Sequence, residues 1–333
     1  MATAARRAPT MHDVAARAGV SHQTVSRVLN GHETVRPETR DRVLEAIAHL
    51  GYRRNLAART LVTSRTRAIG VLALATPDFG PTSSLHAIER ATRDAGYQPL
   101  ITSTPPDAEA MRTSLEFLLD QAIEALVVIA PYQPMLDALD RAGIALPVVT
   151  LQSGDGPGVA ASVDQRAGAA LAARHLLERG HRRIQQITGP VGFLEAAIRR
   201  EAVDAELRAA GIEPGEAVPG DWTVESGYRA GAAIAPDTTA VICGNDQMAL
   251  GLLHALVESG RRVPDDVSVV GFDDIPEAAH SLPPLTTVRQ EFAEVGRRAV
   301  AHLVGVLDGG RSASAAIEPV APVLVRRASV RAV

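Results

Sequence analysis

The 333-residue chain has no lysine, a single cysteine (Cys243) and a single tryptophan (Trp222). One cysteine excludes an internal disulfide and any zinc site built on cysteines. With no lysine all fixed positive charge falls to arginine, which, beside the abundant alanine, reflects genome composition more than mechanism. No apolar run approaches the roughly 18 residues that a membrane-spanning helix needs. No apolar stretch follows Arg6 and Arg7, which argues against a secretory leader. The expectation is a cytoplasmic protein, nucleoid-associated when bound to DNA, with no membrane partner.

Enzyme signatures are missing too. There is no Gly-x-x-x-x-Gly-Lys-Ser/Thr phosphate loop, no His-Glu-x-x-His and no Gly-x-Ser-x-Gly elbow. Gly154-Asp155-Gly156-Pro157-Gly158 is glycine-rich but has the wrong spacing and no helix after it, so it reads as a loop. Asp273-Asp274 resembles a catalytic pair, but neighbours at a strand end point in different directions. No catalytic residue, metal site or cofactor is expected.

What is present begins with uneven charge. Residues 1–66 hold 11 arginines against 5 acids, a balance of +6, while the remainder carries −10. A basic head on an acidic body is expected if the head meets phosphate and the body does not. A length of 333 residues with 46% hydrophobic content suggests two or three units with large cores.

Within the head, Thr10-Met11-His12-Asp13 reads as a capping box opening a short helix, with apolar Val14, Ala15 and Ala18 and a stop at Gly19. Val20 packs in the turn. Ser21 caps the next helix, running to Asn30, by accepting from the amide of Thr24. At 100° per residue Val25, Val28 and Leu29 fall on one side. His22, Gln23, Ser26, Arg27 and Asn30 fall on the other, a polar face without an acid. Gln suits an adenine edge, Arg suits guanine, and hydroxyls and amides suit phosphates. A third helix starts at Pro37, buries Val43, Leu44, Ile47 and Leu50, and ends at Gly51. Two short helices, a glycine turn and a third helix fit the helix-turn-helix plan.

From Ala68 onward apolar runs alternate with helical stretches. Residues 68–74, 125–130, 146–151, 184–188, 240–243 and 267–272 read as buried parallel strands. Residues 84–95, 108–121, 168–179, 194–210 and 247–259 read as helices, with Gly96, Gly143, Gly180, Gly211 and Gly260 at left-handed ends. This is a doubly wound α/β pattern, whose ligands sit beyond the carboxyl ends of the strands. Arg199, Trp222, Asn245 and Asp273 suit a sugar, which needs amide, carboxylate and guanidinium groups for hydroxyls and an aromatic face for its C–H patch. Singly, each has a plainer reading: a lone tryptophan is more often core, and Asp273 could cap a turn.

The residues also carry a family resemblance. Asp13-Val14-Ala15, Ala18-Gly19-Val20-Ser21, residues 24–30 and residues 35–40 closely resemble the head of the lactose-repressor (LacI/GalR) family. Gly220-Asp221-Trp222, residues 245–251, Glu258-Ser259-Gly260, residues 268–274 and residues 283–290 resemble its core, so the likeness spans essentially the whole chain. It implies an all-α helix-turn-helix head over residues 9–52, a hinge helix over 53–65, and a core like periplasmic sugar-binding proteins over 66–333. The core would be two doubly wound subdomains, one about 66–163 plus 291–325 and the other about 164–290.

The resemblance further implies that His22, Gln23 and Arg27 read bases while Thr10, Ser21, Thr24 and Asn30 touch phosphates. Asn55 and Ala58 match a hinge that orders only when two copies meet on DNA. Leu61 matches the side chain that wedges into the minor groove. His22 stands where the lactose-repressor type has tyrosine, so operator preference is related but not identical; Arg54 replaces a proline common before the hinge. In the core, Arg199, Asn245 and Asp273 would hold sugar hydroxyls and Trp222 would stack on the ring. Gln290 would lie at the crossover and Phe292 on the apolar side. Ile129 and Gln152 stand where the lactose-repressor type has ligand-contacting Asn and Asp, and Glu195 where a smaller residue is usual.

The implied function is a sequence-specific repressor, released from a pseudo-palindromic double-stranded operator by a galactoside-like sugar. It would work as a homodimer, since the chain ends without the leucine heptads that make tetramers. A periplasmic transport receptor would share the core but has no use for residues 10–63. A sugar-processing enzyme would need a catalytic pair or metal site that the sequence does not offer.

Overall fold

The computed structural model describes residues 9–29, 34–52, 65–152 and 159–333. The chain forms two compact units, Met1–Thr66 and Arg67–Val333.

The first unit holds α1 (Met11–Ala18), α2 (His22–Leu29) and α3 (Pro37–Leu50). The capping box is closed as its residues suggest: the Thr10 amide donates to Asp13 Oδ2 at 2.7 Å, and the Asp13 amide donates back to Thr10 Oγ1 at 3.4 Å. Gly19 ends α1 at φ 63°, and the next amide, on Val20, bonds back to Ala15 O. Ser21 Oγ accepts from the Thr24 amide at 3.1 Å. Val14, Val25 and Val43 are wholly buried in the small core, with Ala15, Ala18, Val28, Ala46 and Tyr52 around them. One expectation fails here. Leu44 is half exposed, and Ala46 takes the place assigned to it. The packed stripe on α3 runs through 43, 46, 47 and 50, and Leu44 lies a full 100° off Val43.

In the second unit a first parallel sheet runs β2-β1-β3-β4-β5, from β1 (Ala68–Leu74), β2 (Gln98–Thr104), β3 (Ala125–Ile129), β4 (Val148–Leu151) and β5 (Val159–Ala161). Helices α4 (Phe79–Asp94), α5 (Ala108–Asp120) and α6 (Gln133–Arg141) connect its strands. A second sheet runs β11-β10-β9-β8-β6-β7, from β6 (Ile184–Thr188), β7 (Val218–Pro219), β8 (Ala240–Cys243), β9 (Ser268–Asp273), β10 (Thr286–Arg289) and β11 (Val323–Val325). Its helices are α7 (Gln165–Glu178), α8 (Leu194–Ala209), α9 (Val224–Ala230) and α10 (Asp246–Glu258). Apart from β11, the two sheets share one winding order, and each reverses direction between its first and third strands.

Continuous apolar runs became the central strands. β1 and β3 are buried at every position, as strands covered on both faces must be. The expected left-handed helix ends are all present, at φ 78°, 55°, 93°, 73° and 75° for Gly96, Gly143, Gly180, Gly211 and Gly260.

The chain crosses between subdomains three times. After β10, α11 (Phe292–Leu307) returns to the first subdomain and packs on α4, where a side chain on Gly296 would meet the Ala87 backbone at 2.8 Å. Val320 bridges Val163 in the first subdomain. The third crossing then comes earlier than expected: β11 pairs antiparallel with β10, so residues 323–325 belong to the second sheet rather than the first subdomain. Buried Ser329 holds the chain end there, donating to Val269 O and accepting from the Thr286 amide.

Candidate functional site

Both switch points open onto one cleft of about 560 Å3 of atom-free space. Arg199, Trp222, Asn245, Asp273, Gln290 and Phe292, the six residues singled out for a ligand, all line it. From the first subdomain come Asp78, Phe79, Gly80, Pro81 and Ser84 after β1, with Ile129 at the end of β3 and Pro131 just beyond it. Phe193 and Glu195 enter from the start of α8.

Four polar side chains form a relay in its floor. Arg199 Nε donates to Gln165 Oε1 at 2.8 Å, and Gln165 Nε2 donates to Gln290 Oε1 at 2.7 Å. Gln290 Nε2 donates to Asp273 Oδ1 at 2.6 Å, and that oxygen lies 4.0 Å from Arg199 Nη1, closing a ring. Gln165 and Gln290 each stand at a subdomain crossing, so the relay ties two crossings together. Arg199 Nη1 also donates to Gly244 O at 2.6 Å, and the guanidinium lies 3.9 Å from the centre of the Phe272 ring. Burial depresses the Arg199 pKa, with Asp273 and Glu195 opposing.

Asp273 sits at φ 115° at the end of β9, a conformation L-residues rarely adopt. Burial raises its pKa to about 6, against the pull of Arg199. Behind it, wholly buried Asp246 is pushed to about 8, first by burial and then by Asp273. Asp246 accepts from Thr287 Oγ1 at 2.6 Å and from the Ile275 amide at 2.9 Å. Asp274 turns away to Arg327 at 2.6 Å, so Asp273 and Asp274 do not form a catalytic pair.

Trp222 is both core and cleft wall: it is 6% exposed, packs edge-on against Phe193 with centroids 5.1 Å apart, and its Nε1 has no hydrogen-bond partner. Glycines make room for the indole. A side chain on Gly189 would overlap it, and one on Gly244 would reach it at 3.0 Å. Asn245 caps α10 by accepting from the Met248 amide at 2.9 Å and donates to Trp222 O at 3.0 Å, so it positions the tryptophan as well as facing the cleft.

An adjoining chamber opens beside Ser84, Glu195, Gln290 and Phe292 and reaches Gln152 and Ala161. Gln152 is 2% exposed, and among the described residues neither of its amide atoms has a hydrogen-bond partner. Sequence reading missed Asp78 and Gln165. The signal for Asp78 was its place just beyond an apolar strand; it was hidden because α4 starts at Phe79, five residues before the expected 84. For Gln165 the signal was Asp164, which caps α7 by accepting from the Ala167 amide three residues before the expected start at 168.

On the head, Ser21, His22, Gln23 and Arg27 are exposed and Thr10 and Thr24 half-buried, so these positions are available to a partner. His22 stacks on His12 of α1, with centroids 4.7 Å apart. Asn30, Asn55, Ala58 and Leu61, with the hinge and the 154–158 loop, lie outside the described residues. Among the described residues no helix is long and apolar enough to cross a membrane, and no three His, Cys, Asp or Glu could hold a metal ion together.

Residues 10–55 match the family described as bacterial regulatory proteins, lacI family, and residues 173–330 match a periplasmic binding protein-like domain. The HTH-type transcriptional regulator CelR of Thermobifida fusca is 36% identical, covering 98% of both chains. The repressor PurR of Pasteurella multocida is 34% identical over 97% of this chain and 98% of its own. The lactose operon repressor of Escherichia coli K12 is 32% identical over 90% of this chain and 85% of its own. Among solved structures, the lac repressor dimer bound to operator and the anti-inducer ONPF aligns with TM-score 0.87 at 31% identity, covering 98% of this chain and 100% of that one. A CelR–cellobiose complex aligns at 0.72 and 31% identity, covering 96% and 99%. With its relatives regulators rather than enzymes, and with likeness running through head and core alike, the chain belongs to the LacI family of DNA-binding transcriptional repressors.

Proposed function

We propose that the chain represses transcription as a homodimer on a pseudo-palindromic operator, and that a saccharide in the core cleft sets its DNA affinity. The observation that carries the effector reading is the Arg199–Gln165–Gln290–Asp273 relay beside the Trp222 ring: hydroxyl-matched polar groups next to an aromatic face. His22, Gln23 and Arg27 read base edges, with Thr10, Ser21, Thr24 and Asn30 on phosphates, and Asn55, Ala58 and Leu61 add contacts to the operator. Such a regulator works in the cytoplasm, on the nucleoid when bound. Because Gln165 and Gln290 tie two crossings, a ligand that engages Arg199 and Asp273 biases how the subdomains close, and coupling to DNA is reciprocal at ~1–3 kcal/mol.

A galactoside is the first effector to try. The second is cellobiose, because a solved CelR relative carries it and because Ile129, Gln152 and Glu195 depart from the lactose-repressor pocket. The test is fluorescence anisotropy with a lactose-operator-like palindrome and random DNA, with and without each sugar. Specific binding released by one of them is expected. Specific binding tightened by sugar would make it a corepressor, and no preference over random DNA at physiological salt would overturn the assignment of the reading face.

A further inference from the structure

We propose that the cleft takes an uncharged saccharide and excludes phosphorylated and carboxylated sugars, with Asp78 as the residue that sets this preference. This rests on the saccharide reading above and adds the charge of the ligand.

The charged groups lining the cleft are Asp78, Glu195, Asp273 and Arg199. The one cation is already engaged: Arg199 donates to Gln165 and Gly244, covers Phe272, and has Asp273 at 4.0 Å to offset its charge. Two further carboxylates line the cleft, one from each subdomain, of which Glu195 also acts on the Arg199 charge. Glu195 projects from the first turn of α8, and Asp78 stands at the carboxyl end of the β1 segment.

Asp78 precedes α4 without capping it, and among the described residues its carboxylate has no hydrogen-bond or ion-pair partner. A helix N-terminus beside a cleft is where a phosphate would ordinarily seat. Here Asp78 places negative charge at that end, and Pro81, within the first turn, removes one of the N–H groups an anion would use. In a partly desolvated cleft, repulsion between like charges is stronger than in water. A carboxylate can only accept, and a sugar hydroxyl is its natural donor.

A second observation points the same way. In the adjoining chamber Gln152 is buried with both amide atoms unpartnered. Its amide offers N–H donors and a carbonyl acceptor but no positive charge: hydroxyls, which both donate and accept, satisfy the two ends together, whereas an anionic group only accepts and leaves the carbonyl unmatched.

The experiment uses the full chain and titrates paired probes by calorimetry and by the fluorescence of Trp222, the only tryptophan and a wall of the cleft. The probes are galactose and galactose 6-phosphate, glucose, glucose 6-phosphate and glucuronate, with lactose and cellobiose. At least one neutral sugar is expected to bind, and its charged counterpart at least roughly tenfold more weakly. Asp78→Asn should weaken the neutral sugar roughly five- to tenfold and narrow the gap to the charged one, since a charge-assisted acceptor becomes a neutral one. Glu195→Gln should narrow the gap in the same direction, and an unchanged melting temperature shows each variant folded. A phosphate or uronate binding as tightly as its parent, or a gap that Asp78→Asn does not narrow, overturns the proposal. Silence from every probe, charged and neutral, overturns the saccharide reading itself.

Discussion

Gln165 and Gln290 are bonded amide to amide at 2.7 Å, 125 residues apart in sequence and each at a crossing between the two subdomains. Through this bond Arg199 on α8 and Asp273 at the end of β9 share one network. Replacing Gln290 by alanine leaves a buried carboxylate and a buried amide short of partners. A stability loss of about 1–3 kcal/mol is expected by denaturant unfolding. Sugar affinity should fall together with the sugar's effect on operator binding; a variant with full affinity and full coupling would refute the relay.

Gly189→Ala probes the seat of the tryptophan. Gly189 needs no special backbone angle, but a methyl group there would overlap the Trp222 ring. The indole must shift, at a cost of about 1–3 kcal/mol for overpacking. A changed Trp222 emission and a strongly weakened sugar are expected; unchanged emission would mean that the ring accommodates the methyl.

Stability should fall from pH 6.5 to 8.5 because of Asp246. Its folded pKa of about 8 lies far above the roughly 3.9 of an unfolded aspartate. Between those values the folded state holds a proton that the unfolded state has lost, so each rise in pH favours unfolding. The histidines His175, His181 and His302, whose pKa values are depressed first by burial, oppose this fall near the lower end of the window, where unfolded imidazoles at about 6.5 still lose protons, so the Asp246 contribution is read against Asp246→Asn. A change on the order of 1–2 kcal/mol is expected by denaturant titration across this window. Asp246→Asn should flatten it while lowering overall stability, because the Ile275 amide and the Thr287 hydroxyl share one acceptor fewer.

For the head, Gln23→Ala and Arg27→Ala should each cost about 1–3 kcal/mol on the preferred operator and relax specificity at one base position. Thr24→Ala should instead weaken all sequences alike. The comparison is anisotropy on single-base operator variants; a uniform loss from Arg27→Ala would move it from base reading to phosphate binding.

The limits of the sequence are visible in particular residues. The caps and stops of the head were legible, because capping boxes and glycine stops depend on neighbours within four positions: Thr10 with Asp13, Ser21 with Thr24, Gly19 after Ala18. β1 and β3 were legible because a strand buried on both faces must be apolar throughout. β2 was not, since Gln98-Pro99-Leu100 at a sheet edge needs neither a full apolar run nor every N–H, and Pro99 is tolerated there. Nor was the start of α4, where Gly80-Pro81 reads as a loop until the first turn is seen to need no N–H from Pro81.

Local chemistry therefore determined the caps and stops of the head and the strand-and-helix alternation of the core, while the family resemblance was needed to name Gln290 and Phe292 beside Arg199, Trp222, Asn245 and Asp273. Tertiary structure alone decided that Leu44 faces solvent, that β11 returns to the second sheet, and that Gln165 completes the relay. It also left the carboxylate of Asp78 and the amide of Gln152, in adjoining cavities, without hydrogen-bond partners among the described residues. Whether a polar group is satisfied depends on atoms brought from distant parts of the chain, and no periodicity within a segment records it.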